Sequence, residues 1–305
     1  MTMQIGCIVP TKDRPVDIKN LLNSLASQKR KPEVIIIVDG SDNPVKEVVD
    51  QFSQQLNIIY KTLRPPGLAR QKNKGISLIP KEIDWVGFLD DDLVLEEDCI
   101  SNLFDYLCSD KEVKGVGLSI NNQPIVKHES LKKLLLLDKK PGGNFTLSGF
   151  PSAIRPTGQN LQVEWVYGGA TFWKKEVLSQ YKFDEWFSGV GYLEDVDYSY
   201  RVSRKNKIVI RNECRCWHYH HEINTERLPL LGQWHFVAWW YFVSKTNNFN
   251  KFLTIYSMLS LALFNLAIGL ILRNKRSYNT SLGNFKGLKT ILYGNTQDFK
   301  GFQKK

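Results

Sequence analysis

Cysteine is scarce in this chain: five residues in 305 (Cys7, Cys99, Cys108, Cys214 and Cys216). An odd, thinly spread set does not make a disulfide scaffold. The opening residues lack a basic stretch, and the apolar run at 5–9 is too short for a secretory signal. The expected setting is therefore reducing, the cytosol or its edge. Internal repeats and low-complexity tracts are also lacking. With 42% hydrophobic and 24% charged residues, the composition excludes a collagen-like or mainly disordered chain. The length suits one large domain or two modest ones. Acidic residues nearly vanish at the C-terminal end, where eight Lys or Arg after Leu272 face the single Asp298. That end holds most of the net charge of +10. A basic stripe along the body is thereby excluded, so no nucleic-acid partner is expected. A basic tail facing an anionic membrane surface is.

Phosphate-binding glycine signatures are missing as well. After the first apolar run come Pro10, Thr11, Lys12, Asp13, Arg14 and Pro15, which match neither G-x-G-x-x-G nor a P-loop. Dinucleotide hydride transfer and P-loop phosphoryl transfer lose their main support. What is present is alternation. Short β-branched runs at 5–9, 34–38, 58–60 and 85–89 read as buried parallel strands. Ile18, Leu21, Leu22 and Leu25 take helical spacing after Pro15; Val45, Val48, Val49 and Phe52 do so after Pro44; Ile100, Leu103, Phe104 and Leu107 repeat it. The predicted fold class is α/β, an open Rossmann-type sheet with helices on both faces. Ligands of such sheets gather beyond the carboxyl ends of the strands. Loops break up 120–160, a helix is predicted over 194–205 and a strand over 207–211. Beyond Leu231, Trp234, Phe236, Trp239, Trp240, Tyr241 and Phe242 crowd together, and 252–272 then runs 21 residues without a charge.

Three polar sites follow predicted strands. Asp90, Asp91 and Asp92 follow the fourth run; three adjacent carboxylates call for a cation, here a divalent metal shared with substrate phosphates. Asp39 precedes Gly40 and Ser41, a turn that lets a ligand approach closely. Cys214, Cys216, His218 and His220 alternate. Same-face neighbours on a strand lie about 6–7 Å apart, too far for all four to share one ion, so the cysteines are expected in the core and a histidine at the strand end in the site.

The segments IVPTKDRP, EVIIIVDGSD, GLARQKNKGI and VGFLDDDL, in this order, resemble the nucleotide-binding half of bacterial-type, membrane-associated family 2 inverting glycosyltransferases of GT-A fold. YGGATFWKKEVL and FDEWFSGVGYLEDVDYSYRV resemble their acceptor half. The resemblance implies a nucleotide-sugar group of Pro10, Thr11, Arg14, Asp39, Arg70, Lys72, Asn73, Asp90 and Asp91. Within it Asp39 reads the base, Asp90 faces the ribose, and Arg70 and Lys72 approach the diphosphate, although many relatives have Arg at the position of Lys72. Asp91 is given no ligand role. Asp92 and His218 would hold Mn²⁺ or Mg²⁺, with His220 the second choice of histidine; Gly168, Gly169 and Glu194 would line the acceptor site; Asp195 would be the general base.

The expected organisation is a catalytic domain over 1–225, divided at 118, a membrane-associating helical region over 226–272 and a basic tail over 273–305. The implied activity moves a sugar from a nucleotide-diphosphate donor to a lipid-linked or polysaccharide acceptor. Two alternatives are a GT-A-like nucleotidyltransferase and a non-catalytic, membrane-tethered nucleotide- or glycan-binding scaffold. A 21-residue helix is about 31 Å long, enough for a bilayer, yet a single span would part the body from its basic tail. The expectation is a monotopic arrangement at the cytoplasmic membrane face, with 234–242 in the interface and 252–272 shallowly embedded, re-entrant or partly packed on the catalytic domain. A single span and a buried core helix are the alternatives.

Overall fold

A computed structural model describes residues 3–124, 128–155, 158–188 and 192–294. The part of the expected basic tail from 295 on lies outside the described residues. The chain forms two compact units, Met1–Pro124 with Arg155–His220, and Ile125–Ile154 with His221–Lys305.

In the first unit the predicted alternation is realised as β1 (Ile5–Thr11), α1 (Pro15–Ala26), β2 (Val34–Asp39), α2 (Lys46–Asp50), β3 (Ile58–Thr62), α3 (Leu68–Ile76), β4 (Trp85–Leu89), β5 (Leu93–Leu95), α4 (Cys99–Ser109) and β6 (Val113–Ile120). After α5 (Glu129–Leu134) of the second unit come β7 (Leu161–Gln162), β8 (Ala170–Lys174), α6 (Lys175–Gln180), α7 (Glu194–Ser203) and β9 (Lys207–His218). One mixed sheet runs β3-β2-β1-β4-β8-β6-β9-β5, with β7 on β9. Strands β3, β2, β1 and β4 are mutually parallel, and β8 enters antiparallel to β4. All of β1, β2 and β4 is buried, which is why their sequences are continuous apolar runs rather than alternating ones.

Both faces of β1 are covered. Cys7 and Val9 join a core with Leu21, Leu22 and Leu25 of α1 and Ile100 and Leu103 of α4. Ile8 points the other way, against α3. Helix α3 carries little apolar periodicity; it buries Ala69, Gln71, Lys72 and Gly75.

Strand β9 is longer than the 207–211 predicted. It runs parallel to β6, with three extra residues where Leu118↔Arg211 gives way to Ser119↔Arg215. Beyond that irregularity it pairs antiparallel with β5, bringing His218 opposite Leu93.

The second unit also contains α8 (Leu228–Thr246), α9 (Lys251–Ile271) and α10 (Lys275–Tyr293). Here one expectation is overturned. Trp234, Phe236, Trp239 and Phe242 do not lie on an interfacial surface but are buried, Trp239 completely. The segment at 145–151 covers them: Phe145 stacks on Phe242, Phe150 meets Trp239 edge-on, and the Trp239 indole donates to the Ser148 carbonyl at 3.1 Å. Amphipathic rings with a satisfied N–H are stable inside. Helix α9 behaves oppositely; among the described residues it is the one helix long and apolar enough to cross a membrane, and only 28% of its apolar window is buried.

The contact of α3 with β1 gives a test with a definite sign. Alanine normally outranks glycine inside a helix by about 1 kcal/mol. At Gly75, however, a Cβ would sit 2.4 Å from Cγ2 of the fully buried, β-branched Ile8. Overpacking of about 1–3 kcal/mol outweighs the propensity, so Gly75→Ala lowers Tm. A raised Tm in a thermal melt would refute this packing.

Candidate active site

The carboxyl ends of β1, β2 and β4 converge as the topology requires. Thr11 is level with Asp39 in the β1–β2 register, and Asp90, Asp91 and Asp92 follow β4 directly. Gln71 of α3 fastens these ends together. Its Nε2 donates to the carbonyls of Thr11 (2.9 Å) and Val38 (2.8 Å), and its Oε1 accepts from the Gly67 amide.

The three aspartates point to different partners. Asp91 accepts from Thr11 Oγ1 at 2.8 Å and from Arg14 at 2.9 Å. Burial pushes its carboxyl up to about 6 even beside Arg14. It thus anchors the first loop. Asp90 donates its amide to the Gly169 carbonyl at 2.8 Å, and burial raises its carboxyl above the usual range against the pull of Lys72.

Asp92 turns toward β9. Because His218 ends β9 opposite Leu93, its Nε2 comes within 2.8 Å of Asp92 Oδ1. The buried Oδ1 has no other partner among the described residues. His220 lies just past the strand end, its ring 3.6 Å from that of His218. Ligand atoms of Asp92, His218 and His220 all lie within 4.8 Å of one another. One carboxylate and two imidazoles converging at a buried oxygen fit a divalent cation. Burial works against charge on all three. The His218 imidazole and Arg14, 3.5 Å away, nonetheless hold Asp92 below the ordinary carboxylate range. Asp92 in turn raises His218, whereas burial and His218 lower His220. His220, the second-choice histidine, converges with His218 because the strand has ended before it and strand spacing no longer separates the two.

Across from Asp90 stands the start of α7. The chain enters this helix through Leu193 in the left-handed region, φ 67°, which sets Glu194 and Asp195 at the helix N-terminus. Lys72, only 1% exposed, pairs with Glu194 Oε1 at 3.0 Å. Burial disfavours its charge, but Glu194, Asp90 and Asp195 together raise its pKa. Lys72, expected near the diphosphate, is enclosed by carboxylates in this structure. Half-buried Asp195 accepts from the amides of Gly168 (2.9 Å) and Val196 (2.8 Å). Burial and then Glu194 push its carboxyl up to about 7.

The Gly168–Gly169 step joins the two sides. A Cβ on Gly169 would fall 1.9 Å from Asp90 Cγ, and one on Gly168 would fall 2.5 Å from Asp195 Cβ and 2.8 Å from Lys72 Nζ. Only glycine lets both carboxylates come this close.

The remaining expected residues are less central. Asp39 is wholly buried and accepts from the amides of Ser41 (2.7 Å) and Val45 (2.9 Å) and from the Tyr60 hydroxyl. Despite burial these donors lower its pKa, and they leave it little free acceptor capacity. Tyr60 was not anticipated; its place on β3 beside Asp39 is a consequence of strand pairing. Pro10 is an interior residue of β1. Asn73 clasps the backbone of Phe183 in both directions, at 2.9 and 3.0 Å, and Arg70 leans on Glu185 at 3.4 Å. Both hold α3 to the segment at 183–185 instead of joining the carboxylate cluster.

Residues 7–158 match the profile of Glycosyl transferase family 2. The chain is 23% identical over 195 residues to the minor teichoic acid biosynthesis protein GgaA of Bacillus subtilis, covering 62% of this chain and 40% of that protein. It is 25% identical over 222 residues to the hyaluronan synthase of Pasteurella multocida, covering 66% and 23% respectively. The chain thus spans well under half the length of these two relatives. Among solved structures, mannosyltransferase PcManGT from Pyrobaculum calidifontis, in complex with GDP-Man and Mn²⁺, shares the fold with a TM-score of 0.60 at 15% identity, over 96% of this chain and 88% of that one. Staphylococcus aureus TarS 1–349 in complex with UDP-GlcNAc gives 0.53 at 15% identity, over 96% and 93%.

The buried ion pair can be probed by stability. Lys72→Met leaves Glu194 without its cation and is expected to cost about 3–5 kcal/mol. Adding Glu194→Gln recovers most of that loss, because the orphaned charge goes with it. Thermal unfolding of the two variants measures the coupling; additive losses would contradict it.

Proposed function

Because the chain belongs to Glycosyl transferase family 2, we propose that it is a metal-dependent inverting glycosyltransferase, moving a sugar from a nucleotide diphosphate to a saccharide or lipid-linked hydroxyl. The observation that carries this reading is the Gly168–Gly169 step, which brings the donor-side carboxylate Asp90 and the half-buried Asp195 to either side of one dipeptide. Asp195 accepts the proton of the acceptor hydroxyl as its oxygen bonds to the anomeric carbon. The bond from that carbon to the diphosphate breaks in the same displacement, its electron pair leaving with the nucleoside diphosphate. One carboxylate suffices, since the leaving group needs no proton.

Asp92, His218 and His220 would hold Mn²⁺ or Mg²⁺, which when bound stabilises charge on the departing diphosphate. Half-exposed Arg14, already beside Asp91 and Asp92, adds a fixed positive charge at the same strand end. Asp39, with Tyr60 alongside, floors the nucleoside pocket, and Asp90 faces the ribose. Lys72 and Glu194 keep α7 in register beneath the acceptor. In this reading 1–225 carry the chemistry, while 226–272 and the basic tail from 273 keep it at the cytoplasmic face of a membrane.

Below a pH of about 7 Asp195 takes up a proton and stops being a base. The expected kcat/KM therefore rises with pH through about 7 and levels off above it. Asp195→Asn is expected to slow transfer by about 10²–10⁴-fold and to abolish that rising limb. Its thermal shift with UDP or GDP plus Mn²⁺ stays as in the parent. Radiolabelled sugar transfer at near-parent rate by Asp195→Asn would defeat the assignment.

A further inference from the structure

Helix α9 has its polarity inside out. The face it buries in its own unit carries Thr254, Ser257, Met258, Ala262 and Gly269. The face it exposes carries Phe252, Tyr256, Leu259, Leu263 and Leu270, which fall within about 60° of one another at 3.6 residues per turn. Helices of water-soluble domains do the reverse. Small and hydroxylated residues at a helix contact with large apolar ones outside is the arrangement of helices surrounded by lipid. The contact is close: a Cβ on Gly269 would lie 2.7 Å from Tyr278 Cα, and Asn265 donates to Asn284 of α10 at 3.1 Å.

These two contacts also fix the direction. Position 269 lies against 278 and 265 against 284, so α10 runs back antiparallel along α9. By that register the exposed Lys286 and Lys289 are level with the middle of α9. Were α9 to cross a bilayer, both ammonium groups would sit at the depth of the hydrocarbon centre, where charge is most costly. Lying flat, α9 leaves them free to reach headgroups, together with Lys251 and Arg273 at its ends and Lys275 and Arg276 beyond. No acid occurs between residues 251 and 293. A second copy of the chain on this face would bring those six positive charges together with six more, whereas an anionic lipid surface neutralises them.

We propose that α9 lies in the plane of an anionic bilayer surface, with its Phe252–Leu263–Leu270 face sunk to the acyl boundary and the lysines of α10 at headgroup level. The proposal deepens the membrane reading above and rests on it only for the choice of the cytoplasmic leaflet.

Vesicle flotation of the full chain tests it. Binding is expected to vesicles of phosphatidylcholine with phosphatidylglycerol, to be about tenfold weaker on phosphatidylcholine alone and to weaken with salt. Leu263→Asp is expected to lower partitioning about tenfold or more. The Leu263→Asp thermal shift with UDP or GDP plus Mn²⁺ shows that it is folded, and it separates failure of the donor reading, which would abolish the shift in the parent, from failure of this one. For orientation, fluorophores are placed at Lys251→Cys or Lys275→Cys in a Cys108→Ser background, the other four cysteines being buried. Both are expected to be quenched by a membrane-impermeant reductant added outside. One protected end would establish a crossing helix and overturn the proposal. So would a dimer in solution that Leu263→Asp dissociates, with no binding to vesicles.

Discussion

Five carboxylates, Asp90, Asp91, Asp92, Glu194 and Asp195, crowd one end of a single sheet, and the rest of the site is arranged around keeping them there. Each repels the others, and burial penalises the charge of each. The solution is separate compensation. Arg14 and Thr11 secure Asp91, His218 faces Asp92, and Lys72 answers Glu194. Asp195 accepts two amide hydrogen bonds and has only a share of Lys72's charge, with Glu194 beside it. It is therefore the carboxylate that burial shifts to about 7, while Asp92 stays acidic a short way off. One fold thus holds two carboxylates of opposite tendency, one lowered and one raised from the usual range.

Much of this was legible in the sequence because it is local. Strands β1, β2 and β4 are continuous apolar runs, and α1 and α4 keep their apolar residues at helical spacing. The aspartates stand immediately after the strand that positions them. What could not be read depends on partners distant in the chain. Gln71 looks like a solvated polar residue until β1 and β2 bring two carbonyls to it. Lys72 looks like a phosphate ligand until Glu194, 122 positions away, meets it. Tyr60 comes beside Asp39 only through strand pairing. Helix α3 has only a thin apolar stripe, because beside Ala69 it buries Gln71, Lys72 and Gly75.

The aromatic segment of α8 and the apolar run of α9 illustrate a related limit. Composition marks both as hydrophobic and cannot say which is covered. Packing decides: the segment at 145–151 closes over the rings of α8, whereas α9 turns its small residues inward and its leucines out. The more strongly aromatic segment is the interior one. Tryptophan needs a neighbour for its N–H, and Ser148 provides it.

The three additional residues that β9 carries where its pairing with β6 jumps have a bearing on how such a site diversifies. They determine which side chain arrives opposite Leu93. A strand alternates sides at every position, so losing or gaining one residue there would exchange a histidine for Trp217 or Tyr219 at the rim, leaving the sheet intact upstream. Chain length at that irregularity acts as a tuning dial on which ring meets Asp92.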